Sequence, residues 1–232
     1  MKIIKDNFLV VNQYKYDISW VNEYTDNYVI YDKGNTEIES DKVIKLPNIG
    51  HNIHTYFHYI IENYDNLPDV IIFVKGDIVP RHCKKDKFLK LVNNKEFTSL
   101  ESYEDVDTSP GSAMRLTEDG GYMEINNSWY VPHHVSRYFN SYNQFLHTIF
   151  VNPSIPQWVR FSPGANYIIP KENILKYEKR FYEKLNSFID YDASPQECGG
   201  RAKIPAECHI IERSLHTIWS QENEVNRGLY DS

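Results

Sequence analysis

The stretch from Leu46 to Asp77 constrains the fold of this chain more than any other. Its apolar residues recur at three- and four-residue spacing between Ile53 and Tyr64, which predicts an amphipathic helix from about His51 to Tyr64. Pro68 ends this helix, because proline has no amide proton to donate. The run of apolar, mostly β-branched residues at Val70–Val74 then predicts a strand that is covered on both faces, as is typical of α/β proteins.

The chain before this stretch alternates strands with a helix. Apolar runs predict strands at Phe8–Val11 and Tyr28–Tyr31, and a short helix at Ile18–Tyr24 with Asp17 as its N-cap. Strands that alternate with helices favour a parallel sheet with right-handed crossovers. We therefore predict one α/β domain over residues 1–232, with a mainly parallel central sheet flanked by helices.

The second half of the chain is less regular. A polar, turn-rich loop or lid is expected at about 93–127. Helices are predicted at Arg137–Ile149, Lys171–Ile189 and Ala206–Trp219, and a Pro-Gly turn followed by a strand is predicted within Phe161–Ile169.

Composition excludes several classes of protein. The 232 residues carry a formal net charge of -7 and no long basic run, which argues against nucleic acid as a partner. No stretch is long and apolar enough to span a membrane, and the first residues lack a secretory cleavage pattern. The three cysteines, Cys83, Cys198 and Cys208, form no CxxC pair, so we expect structural thiols and a cytoplasmic setting.

Polar residues follow the predicted strands. The carboxyl ends of parallel strands meet at one edge of the sheet, where open α/β proteins bind ligands. Asp17, Asp32, Asn48 and Asp77 are therefore expected near a common crevice. Asp77, directly after the buried strand, is the first candidate for function; the alternative is an aspartate that only starts a turn.

Three histidines share one face of the helix in the Leu46–Asp77 stretch. His51, His54 and His58 are spaced i, i+3, i+7, beside the apolar stripe. Such a row can bind a metal or a diphosphate. The alternative is a set of solvated or core-edge histidines, because HxxxH without the glutamate of a metalloprotease motif is a weak signal.

The last predicted helix carries a second pair of candidates. Glu212 and His216 are four residues apart, with His209 nearby, so Glu212 could act as a general base and His216 as a metal or phosphate contact. The alternative is an ordinary helix-surface pair. Adjacent His133 and His134 lie in an aromatic segment that could stack on a sugar or base, although aromatic clusters more often only pack.

Several strings resemble a microbial and large-virus family of unknown function. LPNIGHNIHTYFHYIIENYDNLPD at Leu46–Asp69 resembles the family pattern LPNxGxExHTYLxxIxxxYxxLPD. DISW at Asp17–Trp20 and YDKG at Tyr31–Gly34 resemble its YNEDxSW and YNKG motifs. The similarity resumes at FSPGANYIIPKENI, Phe161–Ile174, and at IIERSLHTIW, Ile210–Trp219. The order of these pieces looks like a GT-A-like (Rossmann-like) glycosyltransferase.

This resemblance implies a site at the strand ends. In GT-A glycosyltransferases the sugar nucleotide lies across them, and a Mn or Mg ion bridges an Asp-x-Asp motif to the diphosphate. Here the matching strand ends in Lys75, Gly76 and Asp77, so one acid is missing and Lys75 could supply positive charge instead. Lys15 and Tyr16 also depart from the family, which has Asn and Glu there.

The implied activity is transfer of a sugar from a nucleotide-sugar donor to a hydroxyl on a glycan, lipid or protein. The implied catalytic residues are Glu212 and Asp77, and the implied metal ligands are Asp77 and His216. The residues expected to contact the donor or flank the acceptor are Asp17, Asp32, Asn48, Gly50, His54, Lys75, Gly164 and Ala165.

Two other functions remain open from the sequence. One is a metal-dependent hydrolase that uses the histidine row with Asp77, His82 and Glu212. The other is a carbohydrate-binding protein on a degenerate transferase fold, which the missing second acid supports.

Overall fold

A six-stranded sheet forms the centre of the computed structural model, with strand order β3-β2-β1-β4-β9-β5. The model describes residues 2–34, 36–37, 40–103, 114–126, 136–191 and 205–231. The strands are β1 Phe8–Gln13, β2 Tyr28–Asp32, β3 Val43–Lys45, β4 Val70–Lys75, β5 Thr98–Ser99, β6 Met114–Leu116, β7 Tyr122–Ile125, β8 Trp158–Arg160 and β9 Tyr167–Pro170. Strands β6, β7 and β8 form a separate small sheet.

The central sheet is mainly parallel, as the sequence predicts. Val11 of β1 pairs with Ile30 on one side and with Val74 on the other, both in parallel register. Strand β3 continues the parallel half beside β2, whereas β9 runs antiparallel to both β4 and β5. The chain builds outward from β1 to β3 and then returns to place β4 on the opposite side of β1. The order of the strands therefore reverses between β1 and β4.

Helices cover both faces of this sheet. They are α1 Ser19–Tyr24, α2 His51–Asn63, α3 Ile78–Arg81, α4 Lys85–Leu91, α5 Tyr142–Ile149, α6 Lys171–Ile174, α7 Lys179–Ser187 and α8 Glu207–Ser220, with short 3-10 turns at Tyr64–Asn66 and Arg227–Tyr230. The helices predicted from His51 and from Ala206 are confirmed. None of the described helices is long and apolar enough to cross a bilayer.

Two apolar clusters hold the helices to the sheet. Val10 of β1 packs with α2, α5, α7 and α8, whereas its neighbours Leu9 and Val11 pack with α1, α3 and α4. This division follows from the strand geometry, in which successive side chains point to opposite faces. Both faces of β1 and β4 are therefore buried, which explains the uninterrupted apolar run of β4.

The single helix expected at Lys171–Ile189 is wrong. The structure has two helices there, α6 and α7, because Glu178 adopts an extended backbone that breaks the helix before α7. Tyr177 is buried at this break, and its ring stacks on Phe181 with centroids 4.5 Å apart. The apolar spacing continues across the break, which is why periodicity alone predicts one helix.

The loop expected at about 93–127 contains three short strands in its described part. Strand β5 joins the central sheet, and β6 and β7 form a hairpin-like pair around residues 117–121. Leu100 and Glu101, which follow β5, are 0% and 1% exposed. The segment therefore contributes buried residues to the protein interior, which its polar composition does not predict.

Candidate functional site

The carboxyl ends of β1, β2 and β4 meet at one edge of the sheet. Gln13 pairs with Asp32, and Asn12 pairs with Lys75, so the last residues of the three strands lie side by side. Open α/β sheets bind their ligands at this edge, at the point where the strand order reverses. The residues that gather beside β4 here, which we name the strand-end site, are Lys75, Asp77, His82, Gly164 and Glu212.

Lys75 lies at the centre of the strand-end site. Its Nζ is 3.6 Å from Asp77 Oδ1 and 3.5 Å from His82 Nε2. Its backbone N–H donates to Asn166 Oδ1 at 2.9 Å, which ties β4 to the segment before β9. Burial lowers the pKa of Lys75, and Asp77 opposes that shift. The lysine is therefore a partly buried cation held beside a carboxylate.

Asp77 forms ion pairs with two cationic side chains. Besides Lys75, Arg81 donates from Nη1 to Asp77 Oδ2 at 2.9 Å, one turn along α3. Within the described ranges, no three His, Cys, Asp or Glu side chains group in a way that could hold a metal ion. A hard divalent cation needs several oxygen ligands, and one ion-paired carboxylate does not supply them. The described residues around Asp77 therefore do not fit the Mn or Mg ion that the GT-A resemblance implies.

His82 is a neutral neighbour of the lysine. Burial, followed by the charge of Lys75, lowers the pKa of His82 to about 4. Its Nδ1 lies 3.3 Å from the Tyr103 hydroxyl. At neutral pH the uncharged imidazole can donate or accept a hydrogen bond, and Lys75 and Arg81 supply the positive charge near Asp77.

A tight turn at Gly164 and Ala165 brings α2 and α8 to the end of β4. Gly164 has a φ of +85°, and a Cβ there would lie 3.1 Å from Lys75 Cδ and 3.2 Å from His82 Cε1. Its N–H donates to Glu212 Oε1 at 2.6 Å, and its carbonyl accepts from Asn52 Nδ2. Ala165, with a φ of +50°, is completely buried. The backbone therefore passes close to Lys75 and His82, in a conformation that favours glycine.

Glu212 is suited to proton transfer near neutral pH. Burial raises the pKa of Glu212 to about 7, although the Gly164 hydrogen bond and Lys75 oppose the shift. The buried phenol of Tyr56 also has a raised pKa, caused first by burial and then by the charges of Glu212 and Asp77. Tyr56 therefore lies within electrostatic reach of both predicted catalytic carboxylates. A carboxyl group with a pKa near the working pH is an efficient general base.

The other residues expected to contact a donor shape the loops around the crevice. Asp32 is buried and accepts from the backbone N–H groups of Gly34 at 2.9 Å and Thr36 at 2.8 Å. Asp17 precedes the N-cap, Ile18, and its Oδ1 accepts from Ser19 N at 2.9 Å.

The turn before α2 contains Asn48 and Gly50. Asn48 is exposed, and Gly50, with a φ of +59°, begins the helix. A Cβ on Gly50 would lie 2.6 Å from His54 Cβ, so the glycine is needed for the close start of α2.

The histidine row of α2 does not meet the strand-end site. His54 is 5% exposed, its Nε2 is 3.8 Å from Asp190 Oδ1, and its ring stacks on His58. Burial and the charge of Lys33 lower the pKa of His54 to about 3. The residue of α2 that contacts the strand-end site is instead Asn52, which donates to the Gly164 carbonyl. The row instead meets Asp190, Tyr31 and His209, whereas the hydrolase hypothesis needs it beside Asp77.

His216 lines a different space from Asp77. A cavity of about 240 Å³, which we name the edge cavity, lies beside β5. Its walls include Lys87, Phe97, Ser99, Glu101, Arg160 and His216. Burial lowers the pKa of His216 to about 4, and its Nδ1 lies 3.3 Å from the Ser220 hydroxyl. The structure therefore does not bring the two predicted metal ligands, Asp77 and His216, into contact.

A family model described as "Protein of unknown function (DUF3431)" matches residues 9–227. The chain belongs to this family. The match runs from β1 to the last 3-10 turn, so the strand-end site and the edge cavity both lie within the DUF3431 domain. No curated protein and no solved structure matches the chain.

Three residues of this DUF3431 protein near the strand-end site were not predicted. Asn52 and Tyr56 lie four residues apart on α2, a spacing that places them on one face, so the sequence held a usable signal. Asn166 Oδ1 accepts a hydrogen bond from the Lys75 backbone N–H, although 91 residues of chain separate the two. No local sequence pattern predicts such a contact.

The remaining sequence candidates are thiols and histidines. Cys83 and Cys208 are free and buried, and burial raises the pKa of both thiols, that of Cys83 to about 11. Both are therefore poor nucleophiles at neutral pH, in agreement with a structural role. Cys198, His133 and His134 lie outside the described residues.

Proposed function

We propose that this DUF3431 protein is a GT-A-like glycosyltransferase that moves a sugar from a nucleotide-sugar donor to a hydroxyl of a glycan, lipid or protein. The proposal rests on one observation. The cation Lys75 and the carboxyl group of Glu212, whose pKa is about 7, both lie at the Gly164 turn, where the strand order reverses. That edge is where open α/β sheets bind nucleotides. Sugar transfer needs positive charge for the leaving group and a base for the acceptor.

The leaving group is a nucleoside diphosphate. As the bond between the anomeric carbon and the phosphate oxygen breaks, negative charge develops on the diphosphate, and a fixed cation stabilises it. Lys75 fills this role at the strand end, with Arg81 contributing through Asp77. In this assignment the two side chains do the work for which a GT-A enzyme with two acids uses a divalent ion.

The acceptor hydroxyl loses its proton to Glu212. Oε1 of Glu212 is engaged by the Gly164 N–H, so Oε2 receives the proton. The acceptor oxygen then forms the new bond to the anomeric carbon, and the diphosphate departs with the electron pair of the broken bond. A base on the face opposite the leaving group inverts the configuration of the anomeric carbon.

Donor binding gives the first test. Purified protein is mixed with nucleotide sugars of different bases, with Mn or with EDTA, and its melting temperature and donor hydrolysis are measured. We expect one donor class to raise the melting temperature in both conditions. If no donor raises it or is hydrolysed in either condition, the transferase proposal fails. Binding that requires Mn would instead overturn the assignment of Lys75 as the replacement for the ion.

A second candidate is a carbohydrate-binding protein without transferase activity. The ion pairing of Asp77 by Lys75 and Arg81 favours it, because the acid that follows β4 is not free for metal chemistry. Glycan binding without nucleotide binding would select this candidate.

A further inference from the structure

The edge cavity is built from several separate parts of the fold, including the turn at Asp119 and Gly121 between β6 and β7. Ser99 belongs to β5, the outermost strand of the central sheet as described, and Glu101 follows it. Lys87 comes from α4, Arg160 from β8 and His216 from α8. The volume of about 240 Å³ is many times the roughly 10–15 Å³ that one water needs on a comparable measure. The cavity is therefore large enough for a small organic molecule.

The described walls hold two cations, Lys87 and Arg160, and one charged carboxylate, Asp119. Arg160 Nη2 donates to Asp119 Oδ2 at 2.6 Å, and Lys87 Nζ donates to the Asp119 carbonyl at 2.7 Å. Burial raises the pKa of Glu101 to about 8 and lowers the pKa of His216 to about 4, so both are largely uncharged at pH 7. A cationic ligand would therefore find no free charged carboxylate in the described walls, and an anion would have only the half-exposed Lys87 to replace its hydration.

The walls also contain unsatisfied polar atoms. Glu101 Oε1 accepts from Tyr122 N at 3.1 Å, but Glu101 Oε2 and Arg160 Nε are buried and have no hydrogen-bond partner among the described residues. Buried polar groups are nearly always hydrogen-bonded, and each exception needs an explanation. A ligand that both donates and accepts hydrogen bonds is therefore the kind of occupant that these walls favour.

One wall is apolar. The Phe97 ring stacks on Tyr167 at 5.5 Å and meets His216 edge to face at 5.3 Å, so its position is fixed from two sides. Leu91 lies beside it in the lining. A fixed ring next to polar groups suits a molecule that has C–H faces as well as hydroxyl edges.

From these features we infer that the edge cavity binds one neutral, hydroxyl-rich molecule of monosaccharide size. Its hydroxyls pair with Glu101, Arg160 and His216, and its C–H face packs on Phe97. The inference does not depend on the transferase proposal, because it needs neither a nucleotide nor Lys75. The two sites are nevertheless close in the fold, since Glu212 and His216 lie about 6 Å apart along the axis of α8.

Ligand-observed saturation-transfer NMR on the full chain tests the inference. The neutral probes are glucose, galactose, mannose, N-acetylglucosamine and myo-inositol, each at about 10 mM, which detects dissociation constants on the order of 1 mM. The charged probes are glucuronate and glucosamine. We expect saturation of at least one neutral probe and weaker saturation of both charged ones. Tighter binding of a charged probe, or no saturation of any neutral one, overturns the inference.

Blocking variants locate the binding. Ser99→Phe fills the cavity from the β5 side and should remove the signal, whereas Ser187→Phe, on the exposed end of α7, should leave it unchanged. His216→Trp fills the cavity from the opposite wall and replaces Ser99→Phe if that variant does not fold. A signal that survives in a folded blocking variant overturns the inference.

Glu101 variants test the hydrogen bonding. Glu101→Gln keeps a neutral donor and acceptor and should bind within about threefold of wild type. Glu101→Met keeps the volume but no hydrogen bond and should bind about tenfold more weakly. Circular dichroism and the melting temperature show whether each variant is folded. Equal affinity of folded Glu101→Met and Glu101→Gln would contradict the assigned contact.

Discussion

The backbone N–H of Gly164 donates a 2.6 Å hydrogen bond to Oε1 of Glu212, and this contact joins the turn before β9 to helix α8. The carbonyl of the same glycine accepts from Asn52 on α2. One residue without a side chain therefore connects two helices at the end of β4, beside Lys75. Through these two hydrogen bonds it holds Glu212 and Asn52 beside the end of β4.

Replacing Gly164 with alanine should destabilise the protein. The residue has a φ of +85°, and the added Cβ would lie 2.9 Å from Asn166 Nδ2. A left-handed backbone costs a residue with a side chain about 1–2 kcal/mol, and the contact adds to that cost. We expect Gly164→Ala to lower the free energy of unfolding by about 1–3 kcal/mol, measured by urea denaturation.

Gly228→Ala is the matched control. The nearest atom to a Cβ on Gly228 is Asn226 Oδ1 at 3.4 Å, which is ordinary contact. Its free energy of unfolding should stay within about 0.5 kcal/mol of wild type. If both alanine variants are equally stable, the turn at Gly164 is not constrained in the way described.

The raised pKa of Glu212 predicts a pH-dependent difference in stability. Its pKa is about 7 in the folded protein and has the ordinary value of 4.5 when unfolded. Between these values the folded state holds more protons, so the Glu212 contribution is complete below pH 4.5 and is lost as the pH rises through 7. Glu212→Gln cannot titrate. Relative to wild type, the free energy of unfolding of Glu212→Gln should therefore rise by up to about 3 kcal/mol as the pH increases from 4.5 to 8.

The stability of Glu212→Gln must be compared with that of wild type at each pH, because other buried groups titrate in the same range. Glu101, with a pKa raised to about 8, has the same sign as Glu212, whereas the lowered pKa values of His82 and His216 have the opposite sign. Urea unfolding of wild type and Glu212→Gln at several pH values removes these shared contributions. A constant difference from pH 4.5 to 8 would mean that Glu212 titrates normally.

Removal of the Lys75 charge should weaken nucleotide-sugar binding. A charge-assisted hydrogen bond to a phosphate is worth about 1.5–3 kcal/mol, so Lys75→Met should raise the dissociation constant about 10- to 100-fold. Calorimetric titration with the donor found by thermal shift measures this effect. Lys90→Met, on the exposed side of α4, is the control and should bind as wild type does. Equal weakening by both variants would point to long-range charge rather than a contact at the strand end.

Much of the sheet could be predicted because its signals are local. The apolar run of β4 and the helical spacing of α2 each lie within one short segment, and Asp77 follows from the end of that run. The relation between Gly164 and Glu212 spans 48 residues and depends on how α8 packs, so no spacing reveals it. Sequence reasoning could name both residues but could not pair them.

In helix α8, two residues that are close in the sequence do not share a site. Glu212 and His216 are four residues apart and were expected to share one site, but the helix passes between two spaces. Glu212 contacts the Gly164 turn, and His216 lines the edge cavity beside Phe97. His54 was likewise expected beside the apolar stripe, yet it is buried next to Asp190, because the segment after α7 covers that face of α2.

The same helix carries a buried ion pair that should be sensitive to removal of one partner. Arg213 Nε lies 3.3 Å from Glu124 Oε2, and both side chains are 1% exposed. Arg213 Nη2 also donates to the Ile125 carbonyl at 3.1 Å, so the arginine joins α8 to β7. Arg213→Met removes this cation from beside a buried carboxylate and should lower the free energy of unfolding by about 3–5 kcal/mol.

The double variant separates the ion pair from packing. Arg213→Met combined with Glu124→Leu removes both charges, so its loss should be smaller than the sum of the two single losses by at least about 1 kcal/mol. Urea denaturation of wild type, both single variants and the double variant at pH 7 gives this coupling energy. Because Tyr122 Oη donates to Glu124 Oε1 at 3.0 Å, the cycle is repeated with Tyr122→Phe as background. Strictly additive losses in both backgrounds would show that the side chains stabilise α8 through packing alone.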